Sequence, residues 1–251
     1  MSLVVKPVVV QEHRYPQPRA GESIGPAPSR SCLCSPSGSG KSSAGMTHLN
    51  AYFPVCTRIH LFSSTLELDP TYGPMRKKIR EMLVSRGVDL DDPEEKFEHE
   101  TLADLGLAVN AAMKRTKEAM AAGAKNMPIT YIYCDDFLGG SENSAGYRNN
   151  AELDRAFSRG RHAGLVILLL TQTWKGTRTT IRKTCSHLGL WALPRMEYES
   201  VKMELAGRGG LDEAVFLKAY QIATSSKYGF LWIRLSTGDL YSSFSKKLVL
   251  K

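Results

Sequence analysis

The chain has 251 residues, 42% apolar and 23% charged, with a formal net charge of +8 and an isoelectric point near 9.2. That length suffices for one large α/β domain with a full core, and the composition excludes a disordered or fibrous chain. The longest apolar run, Leu165 to Leu170, is too short to cross a bilayer as a helix, and the basic excess suits a polyanionic partner.

The N-terminus lacks the charged-then-apolar layout of a signal peptide. The five cysteines (Cys32, Cys34, Cys56, Cys134, Cys185) form no C-x-x-C pair and lie partly in apolar runs. The expectation is reduced core thiols in an intracellular protein, with no metal site built from the cysteines.

Residues 1–30 begin with Leu3, Val4, Val5 and Val8 to Val10, then turn Pro- and Gly-rich through Pro28. One short strand followed by an extended arm fits this pattern, and so does a partly disordered lead-in. The remainder, 31–251, is expected to form a single domain.

The stretch Ser31 to Ser43 (SCLCSPSGSGKSS) carries the first chemistry. It matches the phosphate-binding pattern G-x-x-x-x-G-K-[ST] at Gly40, Lys41 and Ser42, with Ser35 in place of the first glycine. A short apolar strand precedes the loop and a helix-compatible run, AGMTHLNAYF, follows it. Gly38 and Gly40 let the backbone curl so that the N–H groups of Ser37 to Ser43 point inward, an anion nest at a helix N-terminus. Lys41 would reach the β- and γ-phosphates, and Ser42 would place its hydroxyl on Mg²⁺. The plainer alternative, a Ser/Gly linker, does not account for that strand–loop–helix context.

Arg58 to Ser63 reads as a strand, and Met75 to Val84 as a helix bearing Arg76, Lys77, Lys78 and Arg80. Asp89 to Glu100 contains seven carboxylates without apolar periodicity and is expected to be an exposed loop. Thr101 to Ala122 has helical spacing. Ile129 to Asp136 (ITYIYCDD) is an apolar strand ending in two carboxylates. Downstream of a phosphate loop, this predicts Asp135 as the metal-side carboxylate and Asp136 as the group polarising an attacking water.

A Gly/Asn/Ser-rich loop follows, then a short helix at Ala151 to Phe157. Leu165 to Gln172 repeats the strand-then-polar layout, with Gln172 placed to touch a γ-phosphate or the attacking water. Leu188 to Leu193 is a further strand, Met196 to Leu205 and Leu211 to Ala223 are helices, and Tyr228 to Leu235 with Asp239 to Phe244 forms a hairpin. Strands alternating with helices give an α/β fold with a mainly parallel central sheet flanked by helices, plus a C-terminal β-hairpin.

Four stretches in this order (the phosphate loop, ITYIYCDD, FSRGRHAGLVILLLTQ and TTIRKTCSHLGLW) resemble the DNA-packaging ATPases of large eukaryotic DNA viruses, virophages and Maverick/Polinton elements, within the FtsK–HerA division of P-loop ATPases. The resemblance covers roughly residues 31–193, and its most specific element is GRH followed by an apolar strand and Gln. It implies a RecA-like P-loop core with the Gln172 strand between the Lys41 strand and the Asp135 strand. It also implies ATP and Mg²⁺ as ligands, Gln172 as sensor, and Arg161 as the arginine finger serving a neighbouring subunit, with Arg159 and Arg182 as competitors. An arginine finger given in trans requires a homo-oligomeric ring, here of five or six copies. The implied function is ATP-driven translocation of double-stranded DNA into a capsid, with capsid protein as partner, no membrane, and a place in host cytoplasm or nucleus on assembling virions. Lys175, Arg178 and Lys183, or the Arg76 to Arg80 cluster, are the candidate DNA contacts, with a solvated basic face as the plainer reading of each. Alternatives are a P-loop phosphotransferase acting on a nucleoside or small molecule, and a nucleotide-binding scaffold without turnover.

Overall fold

A computed structural model describes residues 14–19, 21–92, 95–135, 137, 150–206 and 211–250. Nine strands are seen among them: β1 (Ser29–Cys34), β2 (Arg58–Ser63), β3 (Glu98–His99), β4 (Thr130–Asp135), β5 (Leu165–Thr171), β6 (His187–Leu190), β7 (Leu231–Arg234), β8 (Asp239–Ser242) and β9 (Lys246–Lys247). They form one sheet in the order β3-β2-β4-β5-β1-β6-β7-β8-β9. The first six in that order are parallel, and β7, β8 and β9 are added antiparallel, the β7–β8 pair being the expected hairpin.

Both faces of the centre are buried, which is why β5 reads as an unbroken apolar run rather than an alternation. Its odd residues Leu165, Ile167 and Leu169 join Cys32, Cys34, Ile132 and Cys134 in one core. Its even residues Val166, Leu168 and Leu170 join Leu33, Tyr131 and Tyr133 in the other. The second core is covered by α2 (Lys41–Tyr52) and α3 (Tyr72–Ser85). The first is covered by α4 (Leu105–Ala121), α5 (Ala151–Arg159), α6 (Thr179–Thr184), α7 (Arg195–Leu205) and α8 (Glu213–Ala223). Truncating a residue such as Leu168 to alanine would cost about 2–5 kcal/mol.

Gly164 has φ +63°, and a Cβ there would lie 2.3 Å from the Pro128 carbonyl oxygen, so the turn into β5 admits only glycine without distortion. All five cysteines are buried and none is in a disulfide. Burial pushes the Cys34 thiol up to about 12, with the Glu197 carboxylate adding to the effect.

The acidic stretch 89–100 is not an exposed loop throughout. Glu98–His99 pairs in parallel with Leu61 and Phe62 as an edge strand. Phe97 and His99 are buried, with the His99 ring stacked on Phe62 at 4.3 Å. Nearby carboxylates have partners: Glu98 and Glu67 flank Arg76, and Glu95 pairs with Arg58. Two residues are too few to show a period, so local charge masked the strand.

Three further elements were not expected from the sequence: the one-turn helix α1 (Gly21–Ile24), the short helix α6 and β9. The expected strand within Leu3 to Val10 lies outside the described residues. Beyond them, Arg14 forms a parallel bridge with Asn126.

Candidate nucleotide-binding site

The loop after β1 is built by local rules. Ser35 N–H donates to the Thr171 carbonyl at 3.1 Å, extending the β1–β5 ladder by one residue. Its side chain is buried and its φ is negative, so the position tolerates serine where the pattern has glycine. Ser39 Oγ closes the turn on the Pro36 carbonyl at 2.8 Å. Gly38 and Gly40 have φ +73° and +90°. Gly40 is the N-cap of α2 and brings no side chain to cap it, which leaves the first-turn N–H groups near Ser42 and Ser43 directed at an anion. Ser37 and Gly38 are exposed at the loop tip.

Lys41 and Asp135 are both buried, and Lys41 Nζ stands 3.9 Å from Asp135 Oδ1. Ser42 Oγ donates to Asp135 Oδ2 at 3.3 Å. The same Oδ2 accepts a 2.6 Å hydrogen bond from the Tyr72 hydroxyl at the start of α3. Burial, and then the negative charge of Asp135, raises the Tyr72 pKa, so the phenol stays protonated and donates. A hydroxyl and a carboxylate within hydrogen-bond distance are hard oxygen ligands of the kind Mg²⁺ takes together with phosphate oxygens, and the pair fits that ion.

Gln172 follows Thr171 at the same end of the sheet. Because β5 lies between β1 and β4, its tip falls between the Lys41 loop and Asp135, at the carboxyl ends of parallel strands where α/β sheets bind ligands. The loop behind Gln172 is held by one carboxylate: Glu197 on α7 accepts the N–H groups of Trp174 at 2.6 Å and Lys175 at 3.1 Å. Asp136 lies outside the described residues.

The other candidates are scattered. Arg161 is exposed in the turn Gly160–Ala163, at the opposite end of β5. Seven strand residues put it roughly 20 Å from its own phosphate loop. Arg159 is exposed on the same side of the sheet. Arg182 pairs with Glu204 and lies over Trp174. Of the DNA candidates, Lys175 and Lys183 are exposed, whereas Arg178 is paired with Asp154 at 2.6 Å. In the Arg76 to Arg80 cluster, Arg76 is bound by two glutamates, Lys78 donates to Asn50 and Arg80 lies over Phe97. Tyr72 and Glu197 were not singled out from the sequence. A tyrosine on a helix face and a glutamate in a first helical turn look like ordinary packing and dipole residues.

A parallel sheet with a glycine-rich loop on a central strand, its lysine and serine against a carboxylate two strands away, and a polar-tipped strand between them is a RecA-like P-loop fold. The structure is similar to the genome packaging NTPase B204 from Sulfolobus turreted icosahedral virus 2. Its complex with AMP gives a TM-score of 0.54 at 16% identity over 88% of this chain and 98% of that one. The ATP-gammaS complex gives 0.52 at 15% identity over the same shares. It is also similar to the cytoplasmic domain of the Thermomonospora curvata type VII secretion ATPase EccC, with a TM-score of 0.53 and 15% identity, over 91% of this chain and 26% of that one. At these identities the likeness is one of fold. No protein-family model matches the chain, and no curated protein does.

Proposed function

We propose that the chain is an ATP-hydrolysing motor of the FtsK–HerA division that moves double-stranded DNA into a viral or virus-like capsid. The observation that carries this reading is the placement of β5 between β1 and β4, which sets Gln172 between the phosphate loop and Asp135. The fold likeness to a genome packaging NTPase over nearly the whole of both chains supports the packaging role.

The residues divide the work. The N–H groups around Ser37 to Ser43 cradle the phosphates, and Lys41 places its ammonium against the β- and γ-oxygens. Ser42 and Asp135 would hold Mg²⁺, which neutralises phosphate charge when bound. Asp136 follows the metal-side carboxylate and is assigned as the base that orients water. Gln172 hydrogen-bonds the γ-phosphate or that water and so distinguishes ATP from ADP. Arg161 is assigned as the finger: its distance from the phosphate loop of its own subunit leaves it a role only on a neighbour's site, which requires a ring. Exposed Lys175 and Lys183 are assigned to phosphates of the duplex, a contact that carries no sequence preference. Among the described residues no helix is long and apolar enough to cross a membrane, and the motor is assigned to assembling virions.

The test is steady-state ATP hydrolysis with and without long double-stranded DNA. DNA should raise turnover, Lys41→Ala should abolish it, and mixing Arg161→Ala with Asp136→Ala subunits should restore part of it. Turnover that ignores DNA but responds to a small phosphate acceptor would make the chain a phosphotransferase. Tight nucleotide binding without turnover under any condition would make it a scaffold.

A further inference from the structure

The segment between α8 and β7 brings an aromatic ring to the phosphate loop. β7 is antiparallel to β6, with Leu231 opposite Leu190, so the residues entering β7 stand at the carboxyl ends of the parallel strands, beside the loop that ends β1. Phe230 faces inward, 5% exposed and stacked on Trp191 at 4.3 Å. Tyr228 faces outward and is 57% exposed. Its ring lies against Gly40: a Cβ built on that glycine would be 3.2 Å from Tyr228 Cδ1. The Lys227 ammonium stands 5.2 Å from the ring centroid. A flexible lysine, rather than core packing, is therefore its close neighbour on the solvent side.

The strand order gives the direction of a bound nucleotide. Asp135 on β4 and Gln172 on β5 both lie on one side of β1, so the γ-phosphate end points that way. The nucleoside end then runs to the other side, over β6 and β7, where Tyr228 stands. An exposed aromatic face at that place offers stacking to a base, and stacking of this kind favours the larger purine ring system.

We propose that Tyr228 is the stacking platform for the nucleotide's base, and that it makes the site prefer purine over pyrimidine nucleoside triphosphates. This rests on the reading that the Gly40–Lys41–Ser42 loop holds the triphosphate. Gly40 serves both parts: its lack of a side chain permits φ +90° and also lets the ring approach the loop.

The experiment is calorimetric titration of the purified chain with the non-hydrolysable analogue AMPPCP, with CTP and with inorganic tripolyphosphate. The variants are Tyr228→Ala, Tyr228→Leu, Tyr228→Phe and Lys41→Ala, each checked for folding by thermal melting. Tyr228→Ala and Tyr228→Leu should weaken AMPPCP about tenfold, a typical loss for one stacked base. Both should leave tripolyphosphate within about twofold of wild type and bring AMPPCP and CTP affinities together, while Tyr228→Phe keeps the preference. Equal loss of AMPPCP and tripolyphosphate would overturn the proposal, since the ring would then only support the loop. No loss of either would overturn it too. If Lys41→Ala binds tripolyphosphate as tightly as wild type, the phosphate-loop reading falls, and the platform falls with it by a distinguishable route.

Discussion

The Tyr72 hydroxyl donates a 2.6 Å hydrogen bond to Asp135 Oδ2, the oxygen that also accepts from Ser42. Two donors on one oxygen fix the carboxylate's rotation and leave Oδ1 toward Lys41. Tyr72→Phe removes one of them while keeping the buried ring. Outer hydrogen bonds of this kind are worth about 10–100-fold in metal affinity. The expected outcome is roughly a tenfold rise in the Mg²⁺ concentration for half-maximal turnover, with nucleotide binding in EDTA unchanged. Titrating Mg²⁺ at saturating ATP checks the first, and calorimetry without metal checks the second.

Glu197 should matter to turnover out of proportion to its distance from the phosphate loop. Its carboxylate satisfies two backbone N–H groups just after Gln172. Glu197→Ala leaves both without that acceptor, at about 2 kcal/mol, equivalent to roughly 5 °C in Tm. Turnover should fall several-fold with little change in KM, because the phosphate cradle is untouched. A variant that melts lower yet turns over at the wild-type rate would show that Gln172 does not depend on this anchor.

Gly164→Ala is predicted to be among the more damaging single-methyl changes. It puts a side chain at φ +63° and 2.3 Å from a backbone oxygen that has no rotamer to escape into. The loss should be about 2 kcal/mol or more, read from the urea midpoint.

Much of the fold was legible because the centre of a parallel sheet is written plainly. Leu165 to Leu170 is an unbroken apolar run, Ile129 to Cys134 is apolar but for the β-branched Thr130, and Arg58 to Ser63 coincides with β2. The phosphate loop was legible because its chemistry needs glycine at fixed places, and Gly38 and Gly40 do adopt positive φ. What was hidden depends on partners distant in sequence. β3 exists because Leu61 and Phe62 have an open side for it. Tyr72 finds Asp135 across 63 residues and Glu197 finds Trp174 across 23. No spacing rule encodes such meetings. Charge was the least informative signal: arginines that read as free basic clusters, such as Arg76 and Arg178, are held by carboxylates.

Acid should destabilise the chain from about pH 6.5 downward. His48, His60 and His187 are buried, and burial lowers each to about 3. In the unfolded chain they take up protons near 6.5. Between those values the unfolded state binds more protons, so stability rises with pH and falls as pH drops through that window, by more than about 1 kcal/mol per pH unit for each histidine. Urea midpoints measured from pH 8 to pH 5 should be flat at the alkaline end and fall steeply below 6.5.

The two borders of the sheet, as described, are β3 and β9, each two residues long and carrying Glu98–His99 and Lys246–Lys247. So short and charged a border gives a second molecule almost no main chain to pair with, which is how soluble sheets avoid runaway strand addition. Among the described residues, then, what two copies of this chain can offer each other is mainly side chains on helices and loops. Contacts of that kind can slide, break and re-form as neighbouring sites change state, which a continuous hydrogen-bonded ladder would resist.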